Sequence, residues 1–127
     1  MNRTAKWFAV ITFISVLAGC ARTAPIEQVR SVVAAGHTTD QVKHAILHAG
    51  VQREWLMSES APGTIKATQS TNGHVAIVNI NYTSTSYSIS YVSSINLKAS
   101  GGKIHKNYNR WVRNLDKDIR LNLAAMY

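Results

Sequence analysis

Hydrophobic residues recur along this chain with two periods, one typical of helices and one typical of strands. Apolar residues at helical spacing follow the capping pair Thr39-Asp40, and Gly50 then predicts a helix stop. The last element is a long helix from about residue 106 to residue 126, whose apolar residues cover about a third of the helical wheel. These residues are Tyr108, Trp111, Val112, Leu115, Ile119, Leu123 and Met126. The pattern therefore predicts two amphipathic helices, the second of which packs flat on a sheet.

Four runs between the helices have the character of strands: Val51 to Ser58, Thr64 to Ser70, His74 to Tyr82 and Tyr87 to Tyr91. Asn72-Gly73 predicts a tight hairpin between the second and third runs, because both residues tolerate the positive φ of a type I′ turn. The third run is apolar on both faces from residue 75 to residue 78, which predicts a central strand. The fourth alternates tyrosine and isoleucine with serine, which predicts one buried side and one solvated side.

The order of these elements, α-β-β-β-β-α, predicts an α+β fold. The expected architecture is a two-layer sandwich, in which an antiparallel meander sheet of about four strands carries two helices on one face. A sheet that curls around the last helix is the alternative. Residues 38–127 are predicted to form this single domain. Residues 20–37 are predicted to be a tether with room for one short element, whose apolar spacing fits either a helix or a strand.

The first 19 residues have the pattern of an export signal. Arg3 and Lys6 precede an apolar stretch that is shorter than the roughly 20 residues needed to span a bilayer. The run that follows, Leu17-Ala18-Gly19-Cys20, resembles the lipobox of bacterial lipoproteins. That resemblance implies that the signal is removed and that Cys20 is acylated as the new first residue. An ordinary secretory signal, cleaved nearby, is the alternative.

Cysteine usage favours the lipoprotein interpretation. Cys20 is the single cysteine of the chain, and an unpaired structural thiol would be unusual in the oxidising compartment to which an export signal leads. Ala21 follows the cysteine where an aspartate would be expected for inner-membrane retention, so the chain resembles lipoproteins sorted to the outer membrane. The expected location is therefore the cell envelope, with the lipid anchor in the periplasmic face of the outer membrane.

Charge concentrates on the last helix. The formal net charge is +8, and loss of the first 19 residues removes two cations and no acid, leaving about +6. A stripe opposite the apolar side of the helix, here called the basic stripe, consists of Lys106, Arg110, Arg113, Lys117 and Arg120. Within the helix only Asp116 is well placed to pair, with Arg120 four residues later. The stripe predicts an anionic partner, either lipid headgroups, a cell-wall polymer or an acidic protein, and an ordinary solvated face is the alternative. Nucleic acid is not expected, because an exported protein seldom meets it.

Other candidate sites have weaker patterns. His44 and His48 stand four residues apart on one helix face and could bind one transition metal, with His37 or His74 as a third ligand. Six aromatic residues could line a groove for a sugar or peptide, although their spacing first predicts core positions. They are Trp55, Tyr82, Tyr87, Tyr91, Tyr108 and Trp111. No catalytic motif is recognisable, so neither an enzyme nor a cofactor is expected.

The run from Lys103 to Leu115, together with residues 42–46 and 87–91, resembles a family of small envelope lipoproteins without an assigned activity. The resemblance implies the same domain boundaries and an envelope location, and it supplies no catalytic residues. The sequence therefore predicts a non-enzymatic lipoprotein that contacts another envelope component through its basic last helix. A periplasmic module that binds a small ligand or a metal is the second hypothesis, and a hydrolase of unrecognised type is the third. Oligomeric state stays open.

Overall fold

Seven strands and two helices make up the described part of the chain, residues 22–126 of a computed structural model. The elements are β1 (Thr23–Pro25), β2 (Val29–Val32), α1 (Thr39–Gln52), β3 (Leu56–Ala61), β4 (Thr64–Thr71), β5 (His74–Tyr82), β6 (Ser86–Ile95), β7 (Lys103–His105) and α2 (Lys106–Ala124). The predicted export signal and Cys20 lie outside the described residues. No helix between residues 22 and 126 has the length and apolar character needed to cross a membrane.

The α+β class is confirmed, whereas the predicted strand number and order were wrong. β3 to β6 form the expected antiparallel meander with β5 at its centre, but β2 adds a fifth strand beside β6, giving the order β2-β6-β5-β4-β3. β1 and β7 pair separately as a small two-stranded sheet. Strand pairing therefore begins inside the stretch predicted as a tether. Such short strands leave little local signal, because their stability comes from partners far along the chain.

Helix α1 differs from its prediction at both ends. Its N-cap is Thr38, whose hydroxyl accepts a hydrogen bond from the Gln41 amide while the Gln41 side chain accepts one from the Thr38 amide. The helix runs through Gly50 to Gln52 rather than stopping there. A Cβ on Gly50 would collide with the side chain of Met57. The glycine therefore permits a close approach of helix and strand, and β3 starts only at Leu56.

Both helices cover the same face of the five-stranded sheet. Residues opposite one another in antiparallel strands project to the same side. One such row consists of Met57, Ala67, Val78 and Tyr91. At one end of the row Met57 lies against Gly50 of α1. At the other end the Tyr91 ring packs edge-on against Tyr108 of α2, with 5.5 Å between the ring centroids.

The predicted faces of β6 and α2 are confirmed. Tyr87 and Ile89 are buried, whereas Ser88 and Ser90 are only partly covered, on the side that the helices leave open. Of the seven residues predicted for the apolar side of α2, five lie in the core, whereas Trp111 and Met126, which follows the end of the helix, are partly exposed. The five residues of the basic stripe are all exposed.

Candidate functional site

The start of α2 lies where the chain enters the described part of the fold. Thr23 of β1 pairs with His105 of β7, the residue that caps α2. The carbonyl of Arg22 accepts a hydrogen bond from the Lys106 amide, at 3.3 Å. The Ile26 amide in turn donates to the carbonyl of Gly102, at 2.9 Å. Residues 22–27, here called the entering segment, are therefore bound along the edge of the loop and helix that carry the basic residues.

Asn109 holds this segment in place, and the sequence analysis missed it. Its side chain is buried, with 2% exposed. Its Oδ1 accepts a hydrogen bond from the Glu27 amide, and its Nδ2 donates to the carbonyl of Pro25, both at 3.0 Å. One amide group thus satisfies a backbone donor and a backbone acceptor. The sequence contained one sign of this role. On the helical wheel Asn109 lies next to the apolar residues of α2, on the same side as Asp116.

Acids from two directions neutralise part of the basic stripe. Glu27 binds Arg113 through both of its carboxylate oxygens, with Nε to Oε2 at 2.8 Å. This hydrogen bonding by the guanidinium lowers the pKa of Glu27 below its ordinary value. Arg120 pairs with Asp116, as the sequence predicted. Lys106, Arg110 and Lys117 form no ion pair with any residue between 22 and 126.

Asp116 belongs to the core as much as to the surface. It is 6% exposed, and it accepts a hydrogen bond from the Tyr87 hydroxyl at 2.6 Å in addition to the Arg120 pair. Burial and this bond to a carboxylate raise the pKa of Tyr87 above its ordinary value. Asp118 pairs with Arg53 at 2.6 Å and so connects α2 to the end of α1. Both acids therefore join α2 to neighbouring elements.

The predicted histidine pair lines a shallow groove between the ends of the two helices. His44 and His48 are exposed, and the groove has a volume of about 580 Å³. Its other lining residues are Leu47, Val51, Asn122, Ala125 and Met126. No group of three or more His, Cys, Asp or Glu placed to share a metal ion occurs among the described residues. The two histidines and the thioether of Met126 are the groups in this groove with metal-binding chemistry.

The other candidate histidines bind backbone carbonyls. Nδ1 of His74 lies 2.8 Å from the carbonyl oxygen of Asn96. Nδ1 of His37 lies 2.8 Å from the carbonyl oxygen of Ala34, and Nε2 lies 2.9 Å from that of Leu123. Two carbonyl partners favour the doubly protonated ring, so the pKa of His37 is raised. His37 therefore ties the segment before α1 to the end of α2.

The six aromatic residues do not share one groove. Trp55 and Trp111 contribute to a cavity of about 200 Å³, whereas Tyr82 and Tyr87 border a separate groove of about 550 Å³ beside the β2 edge. The Tyr108 side chain is fully buried. Its hydroxyl has no hydrogen-bond partner among the described residues. Most of these rings are core residues, as their spacing first predicted.

Comparison of the chain with protein-family models and with curated proteins finds no match. The functional interpretation therefore depends on the residues of this chain. The feature with the clearest chemistry is the exposed basic side of α2, which starts beside the segment leading from Cys20.

Proposed function

We propose that this protein is a non-enzymatic envelope lipoprotein, anchored through acylated Cys20, that contacts an anionic envelope component or partner protein through α2. The observation that carries the proposal is the exposed, incompletely neutralised basic side of this helix. Lys106, Arg110 and Lys117 pair with no acid in the described part of the chain. Such a surface attracts anions and orients the molecule that carries it.

The placement of the acids supports a contact surface over an ordinary solvated face. Solvated helices commonly mix both signs of charge, because neighbouring pairs stabilise the helix. In α2 Asp116 makes one such pair, with Arg120, and also accepts a hydrogen bond from Tyr87. Asp118 pairs with Arg53 on a neighbouring element. Neither acid pairs with the lysines of the basic stripe, and none occurs between residues 106 and 115. The outer side of the helix consequently keeps a positive field.

The lipid anchor is tested by metabolic labelling. Cells that express the full chain are grown with a labelled fatty acid, and the protein is immunoprecipitated. We expect label in the parent protein and none in Cys20→Ser, which should accumulate as a precursor or leave the membrane fraction. Label that persists in Cys20→Ser would contradict acylation at this residue.

The anionic contact is tested with protein extracted from membranes. Binding to purified cell-wall material and to anionic vesicles is measured at low and at physiological salt, where screening is stronger. We expect binding that weakens with salt and falls further in Arg110→Glu/Lys117→Glu. Arg30→Glu/Lys66→Glu is the matched control, because it makes the same charge change at exposed positions of the sheet. Equal binding by both variants would mean that the basic stripe is an ordinary solvated helix face and not a contact surface.

A second candidate function is favoured by the groove between the helix ends. His44, His48 and Met126 offer two imidazoles and a thioether, a set that suits copper better than zinc. A metal that binds the folded chain raises its melting temperature by mass action. We expect copper to raise that temperature in the parent protein and not in His44→Ala/His48→Ala, with His74→Ala as the histidine control. No shift with copper or zinc would remove this candidate.

A further inference from the structure

We infer that the partner of the basic surface is the anionic lipid surface of the same membrane that holds the anchor. The residues that make this contact, here called the anchor-end cations, are Arg22, Lys103, Lys106 and Arg110. All four are exposed. The inference rests on the proposed acylation of Cys20, and it adds the orientation of the domain and the chemical identity of the partner.

Chain length limits how far the anchor can lie from these cations. Cys20 is three residues before Thr23, and an extended chain spans at most about 3.5 Å per residue, so the lipid-bearing Cα lies within about 10 Å of Thr23. Thr23 pairs with His105, and Arg22 bonds through its carbonyl to the Lys106 amide. Acyl chains on Cys20 would therefore bring this corner of the domain to the headgroups.

The corner is held firmly to the rest of the domain. The β1–β7 ladder, the bond from Ile26 to Gly102 and both bonds of the Asn109 side chain bind the entering segment over consecutive residues. The segment is therefore part of the fold from Thr23 onward. Because Thr23 is fixed in the fold and Cys20 is only three residues before it in sequence, a lipid surface at the proposed anchor meets a defined side of the protein.

The charges near this corner are available to lipid phosphates. None of the anchor-end cations has an acid within ion-pairing distance among residues 22–126. Farther along α2 the situation changes, because Arg120 pairs with Asp116. Lys117 follows Arg110 by about 10 Å of helix, more than the roughly 8 Å screening length at physiological salt. The attraction should therefore be concentrated at the anchor end.

Photocrosslinking to lipid tests the orientation directly. The full acylated protein is reconstituted into vesicles of phosphatidylethanolamine and phosphatidylglycerol that contain a photoactivatable phosphatidylglycerol, and the crosslinked peptides are located by mass spectrometry. We expect crosslinks in peptides that contain the anchor-end cations. Few should occur at the turn of residues 83–85, which the length of β6, about 30 Å, separates from the loop before β7. Crosslinks spread evenly over both regions would overturn the inference.

Charge reversal shows whether the cations cause this orientation. We expect crosslinking of Lys103→Glu/Lys106→Glu/Arg110→Glu to fall by at least about fivefold, the factor that corresponds to the loss of one lipid contact. The control, Arg30→Glu/Lys66→Glu, reverses two exposed charges of the sheet outside the basic stripe and should crosslink like the parent. Lys106→Glu/Arg110→Glu makes the same charge change at the anchor end and should lose crosslinking. Equal losses in both variants would contradict the assignment. If the first variant misfolds, crosslinking of the parent at rising salt provides the same test, and a signal that does not fall with salt would overturn the inference.

The same sample separates this inference from the proposed function. The mass of the peptide that contains Cys20 reports acylation. An unmodified peptide would overturn both the lipoprotein function and the inference. An acylated peptide together with crosslinking that is independent of charge would overturn the inference alone. In that case binding to cell-wall material, measured as above, becomes the test of the remaining function.

Discussion

The first half of α2, residues 106–115, and the second half, residues 116–124, carry similar cations in the sequence but have different surroundings. In the first half, Lys106 and Arg110 face solvent beside the entering segment and form no ion pair with the described residues. In the second half, Asp116 pairs with Arg120 of the same helix and binds Tyr87 of β6, and Asp118 pairs with Arg53. A stripe that is continuous in sequence is therefore uneven in its available charge.

This contrast extends to the buried hydroxyls beneath the helix. Tyr87 donates its hydrogen bond to Asp116 of the second half. Tyr108 of the first half is buried, and its hydroxyl has no partner among residues 22–126. A buried polar group without a partner loses its bonds to water and gains none in return. The second half is therefore built around a polar network, and the first half is held by apolar packing and by the Asn109 amide.

The largest effect on stability is expected from substitution of Asp116, which binds both Tyr87 and Arg120 in that network. Asp116→Ala should lower the free energy of unfolding by about 2–3 kcal/mol, because it leaves the buried Tyr87 hydroxyl without its acceptor. Denaturant unfolding measures this loss. Asp116→Asn keeps an acceptor oxygen and should lose less. If Asp116→Ala were as stable as the parent, the network would contribute nothing to the second half.

A matched pair of tyrosine substitutions sharpens the comparison of the halves. Tyr87→Phe should cost about 1–2 kcal/mol, because Asp116 loses one hydrogen bond inside the fold. Tyr108→Phe removes a hydroxyl that has no described partner, so it should leave stability unchanged or raise it. Both variants are compared in the same unfolding assay. Equal losses would show that the Tyr108 hydroxyl is satisfied in solution.

Stability should depend on pH through His37, which binds the carbonyl of Leu123 near the end of α2. Its pKa in the folded state is raised above the ordinary 6.5 by its bonds to the carbonyls of Ala34 and Leu123. The stabilisation is therefore complete below the unfolded pKa and is lost as the pH rises through the folded value. As the pH rises from the unfolded to the folded pKa of His37, the melting temperature of the parent protein should fall. The part of this fall that depends on His37 should be absent in His37→Ala. The opposite slope would contradict the assigned protonation.

The smallest effect is expected at the exposed ion pair between Arg113, in the first half of α2, and Glu27. Arg113→Ala removes the contact with Glu27, but exposed pairs contribute little and are screened by salt. Its melting temperature should lie close to that of Arg110→Ala, which breaks no described ion pair. Any difference between the two should disappear at high salt. A large loss that persists in salt would mean that this pair, rather than Asn109, holds the entering segment.

The sequence by itself determined the elements whose pattern is local. The meander strands, the hairpin at Asn72-Gly73 and the apolar side of α2 could be predicted because period and turn chemistry are properties of neighbouring residues. The basic stripe could be predicted for the same reason, and so could the pair between Asp116 and Arg120, one helical turn apart.

Tertiary structure alone decided the features that join distant parts of the chain. β1 and β2 are too short to be recognised without their partners β7 and β6. Gly50 has the appearance of a helix stop until Met57 is placed against it. Glu27 lies beside Arg113 in the same place where the Asn109 side chain binds the backbone of Pro25 and Glu27. Pairing of charges and of short strands depends on distance in space, which periodicity along the sequence does not encode.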